Sequence, residues 1–98
     1  MPLINFAGLA RIQASPWSSQ IIGEVGPARI KVLRMDHQPY EEESHGYNEA
    51  LIVIEGRLEL DVNGEALSVA GGEMYVVAAG TPHRVRPGSH GTLVIVDL

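Results

Sequence analysis

The clearest pattern along the chain is a strict alternation of apolar and charged residues over residues 57–62. A period of two is typical of a β-strand with one buried face. Asn63-Gly64 follows directly, and this dipeptide accepts the two positive φ angles that a type I′ turn requires. A two-residue loop pairs Leu60 with Leu67, which places apolar side chains opposite each other on one face. The pattern therefore predicts a β-hairpin.

Turn residues recur at short intervals on both sides of this hairpin, among them Glu55-Gly56 and Gly71-Gly72. The segments between them are short and rich in Val, Ile and Leu, as strands are. Short strands separated by regular turns are typical of an antiparallel sandwich or barrel. We predict strands over 28–35, 50–54, 57–62, 65–70, 73–78, 83–86 and 92–97.

The segment 50–54 differs from the hairpin because it is apolar at every position. A strand of this kind is covered on both faces. The second cover is either a second subunit or the N-terminal part of the chain. In the first case a homodimer would form through the outer face, with Ile52 and Ile54 in the interface. In the second, the covering residue would be Phe6, Trp17 or Ile21.

Residues 1–27 carry a weaker pattern than the rest of the chain. Residues 4–12 have an approximate helical spacing, and 20–25 are compatible with an edge strand. We expect one domain over residues 1–98, with 1–27 as an N-terminal arm and 28–98 as the barrel core. A chain of this length buries enough surface for one core.

Composition excludes several classes of function. The absence of cysteine excludes disulfides, thiolate metal sites and a cysteine nucleophile. Seven basic against 12 acidic side chains give a net charge of -5, so nucleic acid is not an expected partner. No apolar run approaches the roughly 18 residues of a membrane span. The N-terminal residues do not resemble a secretory signal, so we predict a cytoplasmic protein.

Four potential metal ligands fall in two places along the chain, three in the segment before the apolar strand and one at the start of a later strand. Glu43 and His45 are two residues apart, so an extended backbone directs them to the same face. Glu49 begins the apolar strand, where a buried carboxylate requires a cation, either a metal ion or an arginine. His83 follows the Gly80-Thr81-Pro82 turn. Two imidazoles with one or two carboxylates suit a divalent ion such as Fe, Mn, Zn, Ni or Cu, bound less tightly in acid.

This spacing resembles the cupin superfamily, whose two motifs are G-x5-H-x-H-x3or4-E-x6-G and G-x5-P-x-G-x2-H-x3-N. The first reads here as Glu43-Ser44-His45, then Glu49 and Gly56; the second as Gly72, Ala78-Ala79-Gly80 and His83. The departures are His37 for the opening Gly, Glu43 for the first His, Ala78 for Pro and Pro87 for Asn. A shifted register would place Glu42 and Ser44 at the ligand positions, but only the register of Glu43 and His45 keeps a histidine.

The resemblance implies an all-β fold, a small antiparallel barrel or jelly roll. It also implies a divalent metal on Glu43, His45, Glu49 and His83, and a small polar ligand. Candidate pocket residues are Tyr40, Tyr47, Met35, Tyr75 and His37. Cupins include oxygenases, isomerases and simple binders, so the fold does not select among them. The leading hypothesis is a metal-binding cupin for a small metabolite. The alternatives are a non-catalytic binding or sensing module and a metal-free scaffold, both favoured by Glu43.

Overall fold

In the computed structural model, which describes residues 3–98, one helix precedes eight antiparallel strands. The elements are α1 (Phe6–Ile12), β1 (Gln20–Val25), β2 (Ala28–Asp36), β3 (Tyr40–Glu43), β4 (Glu49–Val62), β5 (Glu65–Ala70), β6 (Met74–Val77), β7 (His83–Val85) and β8 (His90–Asp97). The sheet has the order β1-β2-β8-β4-β7-β3, with β5 and β6 also paired to β4. The predicted all-β antiparallel class is confirmed.

The predicted hairpin is present as β4 and β5. Leu60 pairs with Leu67, the register that a two-residue loop requires. Asn63 and Gly64 have φ values of 51° and 86°, as expected of a type I′ turn. The apolar face of the hairpin is directed into the main core, where Leu60 is 1% exposed.

The predicted turn at Glu55-Gly56 is wrong, because β4 continues through these residues as one strand of 14 residues. The pairing of β4 with β8 shifts between Val53 and Glu55, which leaves Ile54 as the extra residue of a β-bulge. The bulge changes which positions point inward. The buried residues of β4 are odd-numbered before it and even-numbered after it, namely Glu49, Leu51 and Val53, then Leu58, Leu60 and Val62.

Two glycines allow β4 and β8 to approach closely beside this bulge. Gly56 pairs with Gly91, and both have positive φ, at 88° and 99°. A Cβ atom on Gly91 would lie 2.1 Å from the carbonyl oxygen of Glu55, which is far inside van der Waals contact. Glycine at these positions is therefore required both by backbone conformation and by space.

The N-terminal arm covers part of the outer face of the sheet. The side chain of Asn5 accepts a hydrogen bond from the Gly8 N–H at 2.8 Å and so caps α1. Phe6 and Ala10 of α1 belong to an apolar cluster that also contains Ile52. Ile52 is thus covered within the chain, whereas Ile54 is 36% exposed. No helix among residues 3–98 is long and apolar enough to cross a membrane.

We predict that Gly91→Ala destabilises the fold much more than Gly88→Ala. The two glycines have nearly equal φ values, 99° and 102°, but an added Cβ meets nothing within 4 Å at Gly88. Gly88→Ala should cost about 1–3 kcal/mol of unfolding free energy from backbone strain alone. Gly91→Ala should cost at least about 2 kcal/mol more from the steric conflict with β4.

Urea unfolding of both variants measures this difference. Equal losses of stability would contradict the close approach of β4 and β8 at Gly91.

Candidate metal centre

Three of the four predicted ligands lie at strand ends that meet on one side of the barrel. Glu43 is the last residue of β3, Glu49 the first of β4 and His83 the first of β7. The pairing of β3 with β7 places Glu43 directly opposite His83. His45 lies in the loop between β3 and β4, so its position depends on how that loop is held.

Two hydrogen bonds tie the His45 loop to the turn that precedes His83. The N–H of Gly80 donates to the carbonyl oxygen of His45 at 2.7 Å, and the N–H of Ala79 donates to Asn48 Oδ1 at 2.9 Å. The imidazole of His45 also stacks on the ring of Tyr47, with centroids 5.1 Å apart and planes 10° from parallel. The turn therefore positions both histidines of the cluster.

The side chains converge closely enough to share one ion. Glu43, His45 and His83 each offer a ligand atom, and these atoms all lie within 4.8 Å of one another. Glu43 Oε2 lies 3.4 Å from His45 Nε2. The carboxylate of Glu49 reaches both imidazoles, with Oε1 3.2 Å from His83 Nε2 and Oε2 3.8 Å from His45 Nε2. The structure thus brings together all four residues selected from the sequence.

The tautomer of His83 follows from its hydrogen bond. Nδ1 lies 3.0 Å from the carbonyl oxygen of Thr81, which can only accept, so Nδ1 carries the proton. Nε2 is then left with a free lone pair directed toward the cluster, as in a metal-ligating histidine. The Nε2 atoms of both His45 and His83 are buried, and neither has a hydrogen-bond partner among residues 3–98.

Of the two carboxylates among the four predicted ligands, that of Glu49 is the more deeply buried. The residue is 6% exposed, and it points inward with Leu51 and Val53. Burial raises the pKa of the Glu49 carboxyl above its usual value of 4.5, and a hydrogen bond with Asp97 raises it further, while the two histidines oppose the shift. In the absence of a bound cation, the site therefore favours the protonated form of Glu49.

A cavity of about 200 Å³ adjoins the cluster inside the barrel. Tyr40 and Tyr47, predicted as pocket residues, line it. Tyr40 packs against Trp17, with ring centroids 5.8 Å apart. Much of the wall is aliphatic, formed by Leu33, Leu51, Leu58, Leu60, Val85, Leu93 and Ile95.

The structure does not bring the other three predicted pocket residues to this cavity. Met35 is 3% exposed and packs in the barrel core beyond Leu33. Tyr75 packs against that core from β6 and lines a separate surface groove. His37 follows the end of β2, has a positive φ of 74°, and stacks on His90 at 5.3 Å.

Among the residues that line the cavity, sequence reasoning missed one aromatic and two charged side chains: Trp17, Lys31 and Asp97. From the sequence, Trp17 is one of three residues that could cover the outer face of the apolar strand. It is instead held on the cavity side by its backbone N–H, which donates to the Arg34 carbonyl oxygen at 2.8 Å. A signal for the other two is present in the alternation: Lys31 precedes Leu33 by two residues, and Asp97 follows Ile95 by two, so each continues an inward-facing row.

The donor set fits a divalent cation. Two imidazole nitrogens and two carboxylates face one another, and ionised carboxylates and lone pairs at these distances repel unless a proton or a metal cation lies among them. The sequence left open whether that cation is an arginine, but the residues of 3–98 that line the cavity include one lysine and no arginine. The geometry at this cluster therefore favours a metal ion over an arginine side chain.

We predict that Glu49→Gln stabilises the chelator-treated protein increasingly as pH rises. Because the pKa of Glu49 is raised in the folded state, its contribution to stability is fully present below the unfolded value of 4.5 and is lost as pH rises through the folded pKa. Glutamine keeps the shape and does not titrate. Urea unfolding of wild type and variant from pH 4.5 upward measures the difference, and a difference independent of pH would contradict it.

Comparison with known proteins places this site in a family. A family model described as a cupin domain matches residues 33–98, about two thirds of the chain. No curated protein sequence matches the chain. Among solved structures, a cupin-2 domain containing protein from Shewanella frigidimarina superposes with a TM-score of 0.88 at 24% identity, covering 98% of this chain and 94% of that one.

Two further structures share the fold. A protein from Neisseria meningitidis has a TM-score of 0.83 at 24% identity, with 98% of both chains covered. Hydroquinone 1,2-dioxygenase from Sphingomonas sp., solved with 4-hydroxybenzoate bound, has a TM-score of 0.80 at 12% identity, covering 95% of this chain and 72% of that one. Since the family model spans most of the barrel and these jelly-roll structures superpose on nearly the whole chain, this protein belongs to the cupin superfamily.

Proposed function

We propose that this cupin binds one divalent metal ion on Glu43, His45, Glu49 and His83 and uses it to act on a small polar metabolite in the adjoining cavity. When bound, such an ion supplies Lewis-acid or oxygen-activating chemistry to a ligand that shares its coordination sphere. The single observation that carries the proposal is the pair of buried imidazole Nε2 atoms that face a buried carboxylate and have no hydrogen-bond partner within residues 3–98.

The protein's own residues have distinct parts in this function. Glu43 and Glu49 supply two negative charges that balance a divalent ion, and Thr81 fixes the ligating tautomer of His83. Glu43 in place of a histidine makes the donor set more anionic, which favours a harder metal. The aliphatic wall excludes water from the reacting group and strengthens electrostatic interactions there.

The cavity volume and the relatives support a small ligand. About 200 Å³ is less than the roughly 300–1,000 Å³ typical of sites for drug-sized molecules. The hydroquinone 1,2-dioxygenase structure holds 4-hydroxybenzoate, a small oxygenated molecule, within the same fold. We therefore propose a ligand of metabolite size with at least one oxygen donor for the metal.

We predict that His45→Ala and His83→Ala each lose the metal while the barrel stays folded. Loss of one imidazole removes a ligand and leaves too few donors for tight binding, whereas core packing is hardly changed. The measurement is elemental analysis of protein purified without chelator or metal-affinity column, with circular dichroism as the test of folding. Wild type should carry about one ion per chain.

His90→Ala is the matched control, since His90 lies outside the cluster and stacks on His37. It should retain the metal in full. A wild-type protein that holds no metal after incubation with Fe, Mn, Zn, Ni and Cu salts would exclude the proposed function. Metal retention combined with no turnover of small keto acids, diols or sugars would instead favour a binding module.

We also propose that the protein is a homodimer. Ile54, Met74 and Val76 are 36%, 58% and 47% exposed on the outer face of β4 and β6, beside the part that α1 covers. An exposed apolar patch of this kind is typical of an interaction surface.

We predict that Met74→Glu converts the dimer to a monomer, because a charge in the interface would be desolvated without a partner. Light scattering after size-exclusion chromatography measures the mass. Val25→Glu, at an exposed apolar position of β1 outside the patch, should leave the dimer intact. A wild type that is already monomeric would overturn this assignment.

A further inference from the structure

The cavity contains the chain's single lysine. Lys31 lies on the inner row of β2 and lines the cavity together with Leu33. Its side chain is only 19% exposed, although lysine is among the residues least often buried. A buried ammonium on a largely aliphatic wall requires a negatively charged neighbour.

That neighbour is Asp97, the last residue of β8. Lys31 Nζ lies 2.8 Å from Asp97 Oδ1, whose side chain is 4% exposed. The contact is a close approach of opposite charges and is not aligned as a hydrogen bond. An ammonium has three donors, and among residues 3–98 Asp97 is the one acidic group within ion-pair distance of Lys31. Asp97 thus holds the ammonium in place and leaves donor capacity for a ligand.

The lysine also lies close to the metal centre. Ala50 pairs with Val96, so Glu49 and Asp97 are the next positions of β4 and β8, and both line the cavity. One carboxylate therefore separates Lys31 from a proposed metal ligand. The same small cavity therefore contains both the candidate metal cluster and the ammonium group of Lys31, with aliphatic side chains around them.

The charges of the cavity limit the ligand to a small negative charge. With Glu49 ionised, as metal binding requires, Glu43, Glu49 and Asp97 carry three negative charges against one positive charge on Lys31. One divalent ion would bring this sum to zero, so a monoanion adds a single charge, whereas a phosphate would add nearly two. A carboxylate carries one negative charge and accepts hydrogen bonds from an ammonium, so it is the ligand group that fits the cavity.

We propose that Lys31 binds the carboxylate of the cavity's ligand, so that the substrates are small monocarboxylates with an apolar body and an oxygen donor for the metal. This proposal deepens the proposed function, because the oxygen donor of the ligand requires the proposed metal ion. Lys31 confers the preference for an acid over its neutral analogue, and Asp97 fixes the lysine in the orientation that does so.

The test uses Trp17, the chain's only tryptophan, which lines the same cavity and reports ligand entry by its fluorescence. Zinc-loaded protein is titrated with pyruvate and benzoate, and with the neutral pyruvamide and benzamide. Wild type should bind the acids at least about tenfold more tightly than the amides, as expected for a charge-assisted contact. Lys31→Met should lose this preference and Lys31→Arg should keep it, with zinc content unchanged in both.

Arg11→Met is the matched control. It removes one cation paired with a carboxylate, Glu55 at 3.2 Å, but at an exposed position outside the cavity. Its preference for acids should equal that of wild type. Equal binding of acids and amides by wild type, or a preference that persists in Lys31→Met, would overturn the inference. So would loss of zinc from Lys31→Met, since Lys31 would then serve the metal centre.

A second measurement does not depend on any variant folding. Because Lys31 is the only lysine, acetylation by acetic anhydride modifies a single ε-amine, which mass spectrometry of peptides separates from the N-terminus. Pyruvate and benzoate should slow this modification at least about tenfold relative to their amides. Equal rates would overturn the proposal.

The titration of chelator-treated protein separates this inference from the proposed function. A wild type that never holds zinc but prefers acids through Lys31 would exclude the metal function and uphold the role of Lys31. A wild type that holds zinc but shows no preference for acids would uphold the metal function and exclude the role of Lys31.

Discussion

The site depends on one electrostatic constraint, the burial of the Glu49 carboxylate inside an apolar barrel. Isolated burial of a charged carboxylate is strongly unfavourable, so Glu49 needs either a proton or a cation. The structure surrounds it with two imidazole nitrogens, one of them directed by a backbone hydrogen bond so that its lone pair faces inward. The arrangement disfavours an empty, fully ionised state, and a divalent ion would satisfy every group in it at once.

The sequence was most informative where the pattern is local. Alternation identified the hairpin and its register, and the spacing of Glu43, His45, Glu49 and His83 identified residues that the fold brings together. Turn residues misled at Glu55-Gly56, because a glycine with positive φ serves equally in a turn and within a strand that another strand approaches closely. The two uses differ only in what the partner strand does, which no local pattern records.

Lys31 and Asp97 were missed for a related reason. They are 66 positions apart, and they meet because β2 and β8 pair along their lengths. Each could be assigned to an inner face by alternation, but their partnership depends on the order of strands in the sheet. The same is true of Trp17, whose loop folds back onto β2 by a hydrogen bond to Arg34. The residues that line the rest of the cavity are thus less predictable than the four of the candidate metal centre, three of which lie at neighbouring strand ends.

The bulge in β4 reverses which residues point inward, so that odd-numbered residues are buried before it and even-numbered residues after it. Deleting one residue on either side of the bulge would exchange the inward- and outward-facing positions of that half of the strand, which would expose leucines or bury charges. Changes in the length of this strand are therefore tolerable only in steps of two, or when a second change restores the phase. Variation in cavity size among proteins built on this plan is then expected to come from side-chain replacement and loop exchange rather than from lengthening the central strand.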